Sequence, residues 1–305
     1  MQIWYQNTDI TGSVIPSACV HKDVSHGRAD TLEISFRRSA AWHRWQPETD
    51  DIIRVIEGKY DTGNLYVNTI VPEGEIYRIL ATSLPSKATR KAWDSYRNIS
   101  YKDLVHRCAT ECGMGDGVYG IDGDIVYPFL MRENEGCAAL LERISLCEGV
   151  ALKAWGGSFR GIGIEYAQVL DPVRSWEISS EQDGVRYQHQ PGKKLTALTV
   201  RSPYGEATAR DDGAEKGYQK IIGGLPAMDN AQAGRWARGL LLCHNRETDR
   251  LSIEMKFDPG ASAMMRANIT GNTGASGEWI IDEAEHDLYN GRTTVKLLRV
   301  VQGIR

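Results

Sequence analysis

Residues 278–300 read EWIIDEAEHDLYNGRTTVKLLRV, and Asp282, Glu283, Glu285, His286 and Asp287 crowd into the middle of that stretch. It is either a catalytic cluster or the polar end of a β-hairpin. Asn290-Gly291 tolerates positive φ and suits the turn of a hairpin joining strands at 279–284 and 293–301. In a strand, successive side chains point to opposite faces. Glu283, Glu285 and Asp287 then share one face, with Asp282 and His286 on the other beside Ala284 and Leu288. A metal or catalytic centre needs converging groups, and alternation separates these. The carboxylate face is expected in water, and His286 is expected as a hydrogen-bonded residue near the sheet end. A hydrolase using Asp282, Glu285 and His286 is the weaker alternative.

Working outward from the hairpin, the pattern upstream of it recurs near the front of the chain. A strand at 265–269 leads to Gly271, a loop and the strand Trp279-Ile280-Ile281. A strand at 52–57 leads to Gly58, a loop and Leu65-Tyr66-Val67. In both places a turn and a third strand follow, the front copy turning at Pro72-Glu73-Gly74 into 76–82. Further strands are expected at 31–36, 194–201 and 251–257 from alternation and β-branched content.

The middle of the chain differs. Ser100 with Asp103 three residues on forms a capping-box pattern, and Tyr101, Leu104, Val105, Cys108, Ala109 and Cys112 make one helical face before Gly113 stops it. A second helix carries Cys137, Leu140, Leu141, Ile144 and Cys147 and ends at Gly149. Asp122-Gly123 suggests a tight hairpin. Residues 150–168 read as strands, turning at Gly156-Gly157. A later helix, capped by Asp229, shows Ala233, Trp236, Ala237, Leu240, Leu241 and His244 on one stripe. The expected fold class is mainly β (α+β): two tube-like β-barrel domains at 1–87 and 169–305, the latter with one helix, and a small α+β domain at 88–168 inserted between them.

Composition sets limits. The chain has 305 residues, 41% hydrophobic and 25% charged, with net charge −4, so it carries no basic excess of the kind that coats nucleic acid. No apolar run is long enough for a membrane helix. The N-terminus MQIWYQNTDITGSVIP lacks the charged-then-apolar pattern of a secretory signal, and the six cysteines are expected as reduced thiols.

Other motifs dissolve on inspection. Cys108 and Cys112 share a helical face with Leu104 and Val105, and no second Cys or His pair has zinc spacing. Residues 115–120, GDGVYG, match a dinucleotide fingerprint but follow a helix, whereas that motif must follow a strand and open a helix. In 156–161, GGSFRG, Arg160 stands where a nucleophile elbow needs glycine. Asp122-Gly-Asp124 lacks the rest of a calcium loop. Trp42 and Trp45, flanking His43, are the most exposed-looking aromatics and, with Tyr66, define a carbohydrate-binding alternative. Trp155, Trp176, Trp236 and Trp279 are expected in the core or at interfaces. No catalytic residue, cofactor or metal ligand is assigned.

The order of several stretches resembles a known family: YPFLMRENE at 127–135, LLERI at 140–144, EGVALK at 148–153, NAQA at 230–233, Trp236-Ala237, GEWII at 277–281 and His286-Asp287-Leu288. These resemble the late control D family, relatives of the baseplate hub of contractile-tailed phages and of the N-terminal part of type VI secretion spikes. The resemblance implies a structural homotrimer and no enzyme. Two related barrels in each of three subunits would make a sixfold ring that stacks on a hexameric tail tube, while the trimer receives a threefold spike. Implied partners are the tail tube protein, a separate trimeric spike protein, baseplate wedge proteins and, as a further candidate, the tape measure protein. The implied setting is a phage tail or phage-tail-like bacteriocin assembled in a bacterial cytoplasm.

Overall fold

The computed structural model describes residues 1–37, 40–121, 125–179, 184–214, 217–271 and 274–305; the expected Asp122-Gly123 turn and the Asp122-Gly-Asp124 motif lie outside them. The first half of the fold contains six principal strands: β1 (Gln2–Tyr5), β2 (Ile15–Val24), β3 (Thr31–Arg37), β4 (Ile52–Glu57), β5 (Leu65–Glu73) and β6 (Ile76–Thr82), with helix α1 (Ala40–Trp45) between β3 and β4. They pair in the order β1-β4-β5-β6-β3-β2. Alternation turns Ile34, Phe36, Ile53, Val55, Leu65, Val67 and Ile79 into a core of their own. Trp42 completes it, 4.7 Å from the Phe36 ring and 5.7 Å from Tyr77. Trp42 is therefore fully buried, which corrects the expectation of an exposed aromatic: a short helix over an open sheet end finds its largest apolar area by turning the indole inward.

The central elements are β7 (Ala92–Ser100), α2 (Tyr101–Cys112), β8 (Gly115–Tyr119), β9 (Val126–Glu135), α3 (Cys137–Cys147), β10 (Val150–Trp155), β11 (Ser158–Gly163) and α4 (Ile164–Val169). The α2 cap is the expected one: the Ser100 hydroxyl accepts from the Asp103 amide, and Gly113 closes the helix at φ +71°. Gly156 and Gly157, at φ +58° and +76°, make the β10–β11 turn. Helix α4 corrects the strand expected through residue 168. GIGIEYAQ alternates locally, but a helix from Ile164 buries Ile164, Ala167 and Gln168 together, and the Gln168 Oε1 accepts from the Val301 amide at 3.0 Å.

The second half comprises β12 (Arg174–Glu177), β13 (Val185–His189), β14 (Leu195–Arg201), β15 (Glu206–Arg210), β16 (Tyr218–Gly223), α5 (Asn230–Arg246), β17 (Asp249–Lys256), β18 (Arg266–Thr270), β19 (Gly277–Asp287) and β20 (Arg292–Arg299). Its sheet order is β12-β18-β19-β20-β17-β13, around a core that includes Leu251, Ile253, Ile269, Trp279, Ile281, Val295 and Leu297. Strands β14–β16 form a separate small sheet under α5, inserted between β13 and β17. Helix α5, capped by Asp229 accepting from the Gln232 amide, packs with α3, so this insertion and the central elements share one core.

Chain order and sheet order match between the halves: β1, β2, β3, β4, β5, β6 correspond in turn to β12, β13, β17, β18, β19, β20. Details match as well. Asp50, at φ +70°, donates to the Val67 carbonyl, and the Val67 amide donates back to Asp51, both at 2.8 Å. Met264, at φ +69°, donates to Ile281, whose amide donates to Met265, at 2.8 and 2.9 Å. The next residue, Asn68 or Asp282, is a bulge in each case, between Val67/Thr69 and between Ile281/Glu283. The ladders set Ile52 opposite Tyr66 and Arg266 opposite Ile280, so the sequence repeat is in step at Leu65 and Trp279 and one residue out at Met265. One pairing differs: β1 is antiparallel to β4, whereas β12 is parallel to β18.

Candidate functional site

The two halves meet where β2 pairs antiparallel with the far end of β19, setting Val24 opposite Glu283 and His21 opposite His286. The bulge at Asp282 permits this. Before it, β19 gives that edge to β18; after it, the same edge takes β2. The acidic stretch is thus the seam of the molecule. The Asp282 carboxylate accepts from the Ser25 hydroxyl at 2.5 Å, and its carbonyl from the Ser25 amide at 2.8 Å. Glu285 pairs with Lys22 directly across the seam at 2.8 Å. Asp287 accepts from the amide and side chain of Asn290 and shapes the turn.

Glu283 departs from the expected solvated face. It is 3% exposed and accepts from Lys296 at 2.8 Å. The bulge shifts the alternation there, so a carboxylate falls against the sheet and needs a cation. His286 is fully buried; its Nδ1 accepts from the Thr293 hydroxyl and its Nε2 donates to the Ala261 carbonyl, both at 3.0 Å. Burial lowers its pKa. Opposite it, His21 bonds the Tyr60 hydroxyl at 2.6 Å, and burial pushes its pKa down to about 3. Asp282, Glu285 and His286 therefore share no partner, and their geometry offers no nucleophile–base arrangement of the kind a hydrolase needs.

Beside the seam lies a buried ion cluster that sequence reading missed. Lys153, on β10, donates to Asp23 on β2, to the Val24 carbonyl at 3.1 Å and to Asp30 at 3.3 Å. Asp23 also accepts from the Ser262 hydroxyl and, at 3.0 Å, from the Ala263 amide in the second half. Burial opposes all three charges, but at Asp23 the Lys153 ammonium and the Ser262 hydroxyl together overcome it and hold the carboxyl below the ordinary range. Burial pushes Asp30 up to about 7. The available signal was Lys153 itself, a charge in the middle of the apolar run VALKAW. The cluster borders a cavity of about 500 Å³ whose lining includes Tyr60, Trp155, Arg160, Tyr166 and Met264.

The other candidates are structural. Cys108 and Cys112 of α2 meet Cys137 of α3 in the core, where hydrogen bonds from those two thiols hold the Cys137 thiol down to about 3. Among the described residues no group of His, Cys, Asp and Glu is arranged to hold a metal ion. Residues Gly115–Tyr119 form a strand after a helix, not a phosphate loop. Trp42 is buried, and Trp45 is half-buried and stacks on Tyr5 at 6.2 Å, so the two tryptophans form no exposed pair. Among the described residues no helix is long and apolar enough to cross a membrane.

No family model and no curated protein sequence matches the chain. Solved structures do. A tail protein from Neisseria meningitidis aligns with TM-score 0.76 at 11% identity, covering 98% of this chain and 95% of its own. The 43 kDa tail protein of prophage MuSo2 from Shewanella oneidensis aligns with TM-score 0.70 at 12% identity, covering 98% and 96%. An Escherichia coli component of the type VI secretion system, described as similar to tail proteins of bacteriophage T4, aligns with TM-score 0.63 at 9% identity, covering 99% and 77%. The mainly β chain therefore has the fold of phage tail proteins. That fold, shared by phage tail proteins and a type VI secretion component, is consistent with the late control D resemblance.

Proposed function

We propose that the protein is the structural hub of a contractile phage tail or phage-tail-like bacteriocin: a homotrimer that adapts a hexameric tail tube to a trimeric spike. The observation that carries this reading is the repeat of strand order, bulge and positive-φ residue between the halves. It lets one chain present two similar units, so that three chains offer six. On this reading residues 1–87 and 169–305 are the two tube domains and 88–168 the insert. The ring binds the tail tube protein on one side and the spike on the other, with baseplate wedge proteins around it and the tape measure protein as a further partner. Assembly takes place in the bacterial cytoplasm. The role is mechanical, with no bond made or broken: buried strand edges and apolar area hold the ring, and the seam residues keep the two halves at a fixed angle.

The test is the mass and shape of the purified full chain. Light scattering is expected to give three times the chain mass, and negative-stain images are expected to show rings with a central hole. A strictly monomeric species at high concentration would reject the proposal.

A further inference from the structure

The seam inside the chain has a counterpart that no described part of the chain fills. In the second half, β19 pairs with β18 up to Ile280, bulges at Asp282, and then gives Glu283–Asp287 to β2. In the first half, β5 pairs with β4 at Leu65 and Tyr66 and bulges at Asn68. Beyond the bulge, its edge over residues 69–73 has no strand partner among the described residues. The matching donor is equally open. The counterpart of β2 is β13, which pairs with β17 on one side and, among the described residues, with nothing on the other. We infer that β13 of a second copy of this chain adds to β5, repeating between molecules the joint that β2 and β19 make within one. The inference rests on the hub reading and names its subunit contact.

The ladders transfer the register. His21 lies opposite Leu32, Leu32 opposite Ala81, and Ala81 opposite Val67. Tyr187 lies opposite Leu251, Leu251 opposite Leu297, and Leu297 opposite Ile281. Tyr187 is therefore the equivalent of His21, as Ile281 is of Val67. His21 faces His286, and the residue at the same distance beyond Val67 is Pro72. Pro72 thus faces Tyr187 of the second copy, Ile70 faces His189, Val71 faces Gln188 and Glu73 faces Arg186.

Backbone polarity fits this register. In the existing joint the Leu288 amide donates to the Cys19 carbonyl and the Ser25 amide to the Asp282 carbonyl, so even-numbered residues of β19 aim at β2. Their counterparts Asn68, Ile70 and Pro72 aim outward from β5. On β13 the Gly184 carbonyl and the Gln190 amide bond inward, to Glu254 and Thr248, which turns Val185, Tyr187 and His189 outward. Ile70 and His189 can exchange two backbone bonds, and the Tyr187 amide can donate to the Pro72 carbonyl. Pro72 has no amide to donate, so the Tyr187 carbonyl gains no ladder bond and this pair keeps one bond of the usual two. Side chains agree: Glu73 meets Arg186, an opposite-charge cross-strand pair, and Tyr187, 39% exposed, would occupy the place where His21 is buried. The contact is head-to-tail, and such a contact closes into a ring when its rotation divides a full turn.

Directly opposite residues in a non-hydrogen-bonded antiparallel pair have Cα atoms about 4.5 Å apart, within disulfide reach. Val71→Cys and Gln188→Cys single variants of the full chain, mixed and mildly oxidised, are expected to form disulfide-linked dimers. A Val71→Cys/Arg186→Cys mixture, out of register, is expected to form none. Ile70→Pro leaves the interior bonds of β5 in place but gives up packing against the first core and the stabilisation that assembly adds, so it is expected to keep the wild-type circular dichroism, to melt at a lower temperature and to sediment as a monomer. If wild-type rings form while the 71/188 pair fails to cross-link, the joint lies elsewhere and the hub reading stands. The joint is equally refuted, with the hub reading intact, if a folded Ile70→Pro variant still assembles. If the wild type never assembles, both fall. Should Ile70→Pro misfold, the in-register and out-of-register cysteine mixtures decide alone.

Discussion

Lys153, 6% exposed, lies in a strand whose other residues, Val150, Ala151, Leu152, Ala154 and Trp155, are apolar, with its ammonium between Asp23 and Asp30. Removing one member of such a buried group strands the others. Lys153→Met is expected to cost about 3–5 kcal/mol, and replacing all three charges by apolar residues far less; urea unfolding reads both. The seam histidines give a pH dependence. His21 titrates near 3 in the fold against an ordinary 6.5. Above 6.5 neither state carries the proton and the fold has its full stability. As pH falls from 6.5 towards 3 the unfolded chain takes up a proton the fold refuses, and stability drops by about 1.4 kcal/mol per pH unit. Asp30 pulls the other way between its ordinary 3.8 and about 7. The His21 contribution is therefore read from the difference between wild type and His21→Gln, which is expected to shrink that acid loss; parallel pH curves would refute it.

Elements show where local rules and packing conflict. Gly239 sits inside α5, where helix propensity alone favours alanine by about 1 kcal/mol. A Cβ at that position, however, would meet the Cys147 carbonyl and the Gly149 amide, because α5 crosses the end of α3 at backbone distance. Gly239→Ala is expected to destabilise by about 1–3 kcal/mol through overpacking, so the sign of the change in chemical denaturation separates packing from propensity. Asp229→Ala, which removes the α5 cap, is expected to cost about 1 kcal/mol. The caps at Ser100, Asp229 and Gly113 were legible because cap and capped amide are neighbours in sequence. The helix Ile164–Val169 was not, since its local pattern alternates and its burial depends on Val301.

For the whole molecule, the sheet is continuous from the first half to the second through β2 and β19, and Asp23, bonded to Lys153 and to Ser262 and Ala263, ties both halves to the central elements. The chain is therefore expected to unfold as one unit, with near- and far-ultraviolet circular dichroism giving coincident transitions. Separate transitions would show the halves to be independent. The seam amides, among them Leu288 and Ser25, are expected to exchange hydrogen as slowly as the two cores. The charge balance, the repeat and the hub-type resemblance were all visible in the sequence. Alternation along the acidic stretch was visible there too, being a property of neighbours, but the bulge at Asp282 shifts it and buries Glu283.

By itself the sequence determined the strands on either side of Asn290-Gly291, the two long capped helices and the recurrence of one strand pattern at both ends, since each is written in residues a few positions apart. Only the tertiary structure decided that Trp42 turns inward, that Glu283 is buried, and that the edge of β19 beyond its bulge receives β2. Those outcomes depend on which surfaces meet: Ser25 and Asp282, bonded across the seam, are 257 positions apart. No local period records which of several open strand edges a distant strand will cover, because that is set by the backbone groups and apolar area left after everything nearer has paired.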